Sequence, residues 1–182
     1  MLSGDKENYD FSEILEAYKG ELIGAINALN QADLNQLTNE ILSVMDNGGT
    51  IHFIGNGGSA ATPSHSAGDW SKELGVKTVC HTDNTASLTA WANDTDYESI
   101  FSRQIEGIGE SGDVLIAIST SGNSNNVINA ISIAKSMEIS VIILTGESGG
   151  KMSESDADVI IKKYFGVEMG ALLLMLSIWQ LS

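Results

Sequence analysis

What most constrains this chain is an alternation that sets in at residue 50. A short, continuous apolar run is followed by a loop and then by a stretch of helical period. Thr50 to Ile54, Val76 to Cys80, Asp113 to Ile118, Ser140 to Leu144 and Asp158 to Lys162 read as five strands. Helical stretches follow them: one to about Lys72, then Thr85 to Ala92, Tyr97 to Gly107, Asn125 to Met137, and Glu168 to the C-terminus. A half-solvated antiparallel strand alternates polar and apolar residues, whereas a strand buried on both faces does not. The expected fold is therefore α/β: a doubly wound, five-stranded parallel sheet with helices on both faces.

Before the first strand the period is helical. Phe11, Ile14, Leu15, Tyr18, Leu22 and Ile26 recur every three or four residues. A second helix is expected from Asp33, as its N-cap, to Asp46, stopped by Asn47-Gly48-Gly49. Residues 1–48 thus read as an N-terminal helical arm of the same domain, and residues 49–182 carry the sheet. Nine basic against 24 acidic residues give a net charge of -15. Such a surface repels phosphate backbones, so no direct nucleic-acid partner is expected. The single Cys80 rules out an internal disulfide framework. The polar start, Met1 to Asp10, is unlike a secretory leader, and Met169 to Leu181 is too short to span a membrane. A cytoplasmic setting is expected.

Ligands of such sheets bind beyond the carboxyl ends of the strands. Two loops there are unusual. Gly55-Asn56-Gly57-Gly58-Ser59 lets the backbone approach an anion and leads into a helix with free N–H groups. Ser119-Thr120-Ser121-Gly122-Asn123-Ser124 brings four hydroxyls and an amide to another helix start. Neither contains lysine, which suits a phosphate monoester held by hydroxyls and helix dipoles. Either loop alone occurs in many α/β proteins; the pair, each after a buried strand, carries the weight.

With these residues the chain resembles the sugar isomerase (SIS) domain family, whose sheet is flavodoxin-like. Ala92-Asn93-Asp94, Phe101-Ser102-Arg103-Gln104, Gly112-Asp113-Val114-Leu115, Leu144-Thr145-Gly146 and Gly149-Gly150-Lys151-Met152 narrow the resemblance to the phosphoheptose isomerase branch. That branch converts sedoheptulose 7-phosphate to a heptose 7-phosphate for envelope polysaccharide. The resemblance implies that residues 49–182 form the phosphosugar-binding SIS domain. It also implies a substrate site of Asn56, Gly57, Gly58, Ser59, Asn93, Asp94, Ser119, Thr120, Ser121 and Ser124. Of these, Ser59 and the second-loop hydroxyls hold the phosphate, and Asn56, Asn93 and Asp94 line the sugar end. A homotetramer is implied, with the last helix in its central bundle.

Ketose–aldose interconversion needs a base, an acid and a group that polarises the carbonyl. Relatives place a glutamate base and a histidine four residues before it on the helix after the first loop. Here those positions hold Asp69 and His65, one helical turn apart on one face. The resemblance makes Asp69 the base and His65 the acid, or both of them zinc ligands. The plain alternatives are a helix histidine bonded to a neighbour and a solvated aspartate. Pro63, with Thr62 as N-cap, would open that helix harmlessly. Relatives carry Gln-Glu-x-His and a further histidine on the last helix. Glu168 alone finds a counterpart, Gly170 and Met175 fall at the histidine positions, and the only histidines are His52, His65 and His81. A complete His/Glu/Gln/His zinc site cannot form. Two readings follow. One is an isomerase working through His65 and Asp69. The other is a non-catalytic phosphosugar-binding or regulatory SIS protein, such as one that associates with the replication initiator.

Overall fold

A computed structural model of the chain describes residues 10–162. The expected final helix from Glu168, with Gly170 and Met175, lies outside the described residues. Six α-helices and five strands run in the order α1 (Ser12–Asn27), α2 (Gln31–Asn47), β1 (Thr50–Gly55), α3 (Gly58–Leu74), β2 (Lys77–Cys80), α4 (Thr85–Asp94), α5 (Ile100–Ile108), β3 (Val114–Ser119), α6 (Asn125–Ser136), β4 (Ser140–Thr145) and β5 (Val159–Ile161). A 3-10 turn at Tyr97–Ser99 leads into α5, where the sequence suggests one continuous helix.

All four strand pairings are parallel, in the order β2-β1-β3-β4-β5. The five-stranded, doubly wound expectation is met. All six residues of β3 are buried, as are the last five of β1 and of β4, which is why these strands read as unbroken apolar runs. The side chains of each central strand feed two cores. Phe53, Trp70, Ile116, Ile118 and Leu144 pack under α2 and α3. Ile54, Phe101, Ile105, Leu115 and Ile143 pack under α5 and α6.

Two aspartates pin the strand starts. The Asp113 carboxylate accepts from Thr50 N at 2.7 Å and Glu110 N at 2.9 Å, tying β3 to β1. Asp158 accepts from Val141 N at 2.7 Å and Lys135 Nζ at 2.9 Å, tying β5 to β4 and α6. Both carboxyls sit below the usual carboxylate range: burial raises them, and the hydrogen bonds from Thr50 N, His52 and Glu110 N to Asp113, and from Val141 N and Lys135 to Asp158, more than offset it.

Two expectations need correction. Helix α2 is capped by Asn30, whose side chain accepts from Asp33 N at 2.8 Å, so Asp33 lies inside the first turn instead of capping it. Helix α3 begins at Gly58, so Thr62 is not its N-cap and Pro63 lies within the helix. A proline there withholds the N–H that would bond the carbonyl four residues back. That carbonyl is Ser59 O, and it packs against Gly55, where an added Cβ would collide with it. The close crossing of β1 and the start of α3 thus requires glycine at residue 55.

Candidate phosphosugar site

Both loops lie at the carboxyl edge of the sheet, after the adjacent strands β1 and β3. In the first, Gly57 takes φ +57° and starts α3 without a side-chain cap. Ser59 N bonds Asn56 O and Ala60 N bonds Gly57 O, both at 3.0 Å. The N–H groups of Gly57 and Gly58 remain at the open end of the helix.

In the second loop, Ser124 holds the N-cap position of α6, yet its hydroxyl makes no cap. It lies 3.0 Å from Ser119 Oγ, which is 3.5 Å from Ser121 Oγ. Three hydroxyls therefore cluster before an uncapped helix. Helices α2 and α4 contrast with this. Both begin on asparagines, Asn30 and Asn84, whose side chains cap them. At the two loops the positive helix ends carry no such cap and lie side by side at the carboxyl edge of the sheet, where an external anion can meet them.

The segment after β4 supports the hydroxyl loop. Thr145 Oγ1 donates to Ser119 O at 2.9 Å, Gly146 N to Thr120 O at 3.1 Å, Met152 N to Gly122 O at 2.9 Å and Lys151 N to Asn123 Oδ1 at 3.1 Å. Backbones touch here. A Cβ on Gly122, itself at φ +64°, would strike the Gly149 carbonyl, and one on Gly146 would strike that of Thr120.

The predicted residues fall into four groups. Ser119, Ser121 and Ser124 come together; Asn56, Gly57, Gly58 and Ser59 form the neighbouring helix entry. Thr120, in the same loop as the three serines, accepts at its carbonyl from Gly146 N of the segment after β4. Asn93 and Asp94 are exposed at the end of α4, where Asn93 Nδ2 donates to Asp94 Oδ1 at 2.8 Å. His65 and Asp69 pair on the outer face of α3, Nε2 to Oδ2 at 3.2 Å, with side chains 74% and 44% exposed. This pair falls short of a resident zinc site. Two donors stand on an exposed face, and among the described residues no third His, Cys, Asp or Glu joins them. Protein zinc takes at least three protein ligands.

Sequence reasoning missed two sets of residues. Asn126, buried at the start of α6, exchanges amide hydrogen bonds with Asn56, and Tyr97 OH donates to Asn56 Oδ1 at 3.0 Å. Asn126 is the second residue of a helix, where any residue type is allowed, so no local pattern marks it. The second set is a buried polar chain. His52 Nε2 meets Asp113 Oδ2, and His52 Nδ1 meets His81 Nε2, each at 3.0 Å. His81 therefore faces His52 within the molecule. The one sequence signal was the place of His52 inside the first strand run, Thr50 to Ile54.

Comparison with known proteins shows the family and the fold. A SIS domain model matches residues 17–146. A phosphoheptose isomerase from Aliarcobacter butzleri is 40% identical over 139 residues, 74% of this chain and 74% of its own. The solved phosphoheptose isomerase of Neisseria gonorrhoeae superposes with a TM-score of 0.86 at 34% identity, covering 94% of this chain and 98% of that one. That of Francisella tularensis gives 0.83 at 27% identity, with 92% and 94% covered.

Proposed function

The chain belongs to the SIS-domain family, in its phosphoheptose isomerase branch, and from that premise we propose that it is an aldose–ketose isomerase of sedoheptulose 7-phosphate. The product would be a heptose 7-phosphate for envelope polysaccharide. The observation that carries the reading is the pair of adjacent, uncapped helix starts, one of them headed by the cluster of Ser119, Ser121 and Ser124. A phosphate monoester fits there: its oxygens accept from hydroxyls and N–H groups, and its charge lies at two positive helix ends.

The chemistry has a defined requirement. A proton leaves the hydroxymethyl carbon, and the neighbouring carbonyl oxygen gains one. The resulting enediol takes a proton at the second carbon while the first hydroxyl becomes the aldehyde. We assign the abstraction to the Asp69 carboxylate and the donation to carbonyl oxygen to His65, whose Nε2 lies 3.2 Å from Asp69 Oδ2. Ser59, the second-loop hydroxyls and Thr120 would anchor the phosphate; Asn56, Asn93 and Asp94 would line the sugar. His65 and Asp69 would be the zinc ligands if a metal were held here, and no step is routed through a metal. Helix α1 buries only Ala25, which supports assembly into a homotetramer through its outer face. Among the described residues no helix is long and apolar enough to cross a membrane. The reading sets the protein in the cytoplasm, with the phosphosugar pool.

Proton NMR of sedoheptulose 7-phosphate with purified protein tests the proposal. Turnover is expected, with a loss of about a hundredfold or more in Asp69→Ala, the scale of a removed general base. Wild-type protein that is thermally stabilised by the sugar phosphate without turning it over would favour the regulatory reading instead.

A further inference from the structure

The first turn of α6 joins parts of the site that are far apart in sequence. Three of its asparagines reach outward to different elements. Asn125 Nδ2 donates to Glu98 Oε1 at 2.9 Å, and Asn129 Nδ2 to Glu98 O at 3.1 Å, so the turn after α4 is held against α6. Asn126 turns the other way. Its Oδ1 accepts from Asn56 Nδ2 at 2.9 Å and its Nδ2 donates to Asn56 Oδ1 at 3.0 Å. Tyr97, in the held turn, adds a second donor to Asn56 Oδ1 at 3.0 Å.

The consequence for Asn56 is geometric. A free asparagine side chain rotates about two torsions, and its amide presents either oxygen or nitrogen to a ligand. Here the reciprocal pair fixes both torsions. The oxygen is occupied twice, and one N–H of Nδ2 is used, which leaves the second N–H as the group a ligand meets. Donation into the oxygen also polarises the amide and strengthens that N–H as a donor. Asn126 is 3% exposed, so it acts on any ligand only through Asn56.

We propose that Asn126 and Tyr97 are positioning residues that clamp the Asn56 amide as a one-way hydrogen-bond donor toward the sugar, coupling the first loop to the helix that carries the phosphate cluster. The proposal rests on the phosphoheptose isomerase reading for its substrate. The phosphate anchor does not involve Asn56, so losing the clamp misplaces the reacting end of the sugar while its phosphorylated end stays held.

Full-length wild type is compared with Tyr97→Phe, Asn126→Ala, Asn56→Ala and the Asn56→Ala/Asn126→Ala double variant. Asn126→Ala is expected to lower kcat about ten- to a hundredfold, the cost of a misplacement on the order of 1 Å. Competitive inhibition by inorganic phosphate should stay within about twofold, since the phosphate anchor is untouched. Tyr97→Phe, on an exposed and conservative position, gives a smaller loss of the same kind and serves if Asn126→Ala folds poorly. In the Asn56→Ala background, Asn126→Ala should cost nothing further, because residues acting through one group are not additive. Additive losses, or a change in KM or melting temperature with kcat intact, overturn the proposal. If wild type does not turn over sedoheptulose 7-phosphate, the isomerase reading fails. The clamp is then read by calorimetry, as the affinity for that sugar phosphate relative to inorganic phosphate. An unchanged ratio in Asn126→Ala, or no preference in wild type, overturns it; a tenfold fall supports it.

Discussion

At the scale of single residues, the most consequential feature outside the site is the chain Asp113–His52–His81. It is buried across β3, β1 and the end of β2, with His52 0% and His81 1% exposed. Burial first, and the neighbouring His52 second, push His81 down to about 4, and the Gln104 side chain only partly opposes them. The unfolded chain takes up that proton near the ordinary value of 6.5. Between the two values the unfolded state binds more protons, so stability is full above about 6.5 and falls as pH drops toward 4. A difference of that size amounts to about 3 kcal/mol once the window is crossed. Asp113, held below its usual range, adds a further loss only at lower pH, where its carboxylate is protonated. Urea melts at pH 7.5 and 5.0 should therefore differ by more than 1 kcal/mol in wild type, an amount within reach of such melts. His81→Gln, which keeps a polar partner for His52 and removes the titration, should flatten the difference. Equal pH slopes in the two proteins would locate the acid sensitivity elsewhere.

At the scale of elements, the strands were legible in the sequence and the helix starts were not, for one physical reason. A strand buried on both faces must be apolar throughout, and that requirement is written into consecutive residues such as Val114 to Ile118. A helix start depends on which of several nearby polar residues turns back on the backbone. Asn30 and Asp33 are both good caps by type, and only the fold selects Asn30. Pro63 suggested a late start for α3 because a helix interior usually rejects proline. Here the crossing at Gly55 already takes up the carbonyl that proline leaves unbonded. The phosphate loops were legible as composition, glycine and hydroxyls. What holds them was not, since it consists of backbone contacts from the segment after β4. Gly122 tests that support. Gly122→Ala places a side chain at φ +64° and drives its Cβ onto the Gly149 carbonyl. The backbone strain alone costs about 1–3 kcal/mol, and the displaced loop should lose phosphate affinity at least tenfold. Gly48 supplies the control. At φ +69° with open space around it, Gly48→Ala carries similar strain without the collision, so phosphate titration by calorimetry should be unchanged. Equal effects on affinity would mean that loop support is not what Gly122 provides.

At the scale of the whole molecule, α1 does not make sense in a single copy of the chain. It is a 16-residue helix with one buried residue, Ala25, while Ile14, Leu15, Ile23 and Ile26 are 66%, 54%, 57% and 40% exposed. Helices this short gain their stability from packing an apolar face, and an isolated one is marginal in water. Large side chains gain about 1.5–3 kcal/mol each when buried, so a self-complementary contact along α1 both orders the helix and joins subunits. Charge opposes that contact. Each chain carries -15, and bringing several together concentrates like charge that is screened only over about 10 Å at 0.1 M salt. The two terms separate experimentally. Light scattering after size exclusion should show a tetramer in wild type whose dissociation at low protein concentration is suppressed by raising the salt. Ile14→Glu/Leu15→Glu adds charge to the face and removes its apolar contact, so it should shift the species to dimer or monomer even at high salt and lower the helix content seen by circular dichroism. A wild type that is monomeric at all concentrations, or a variant that assembles as wild type does, would show that α1 is not the joining surface.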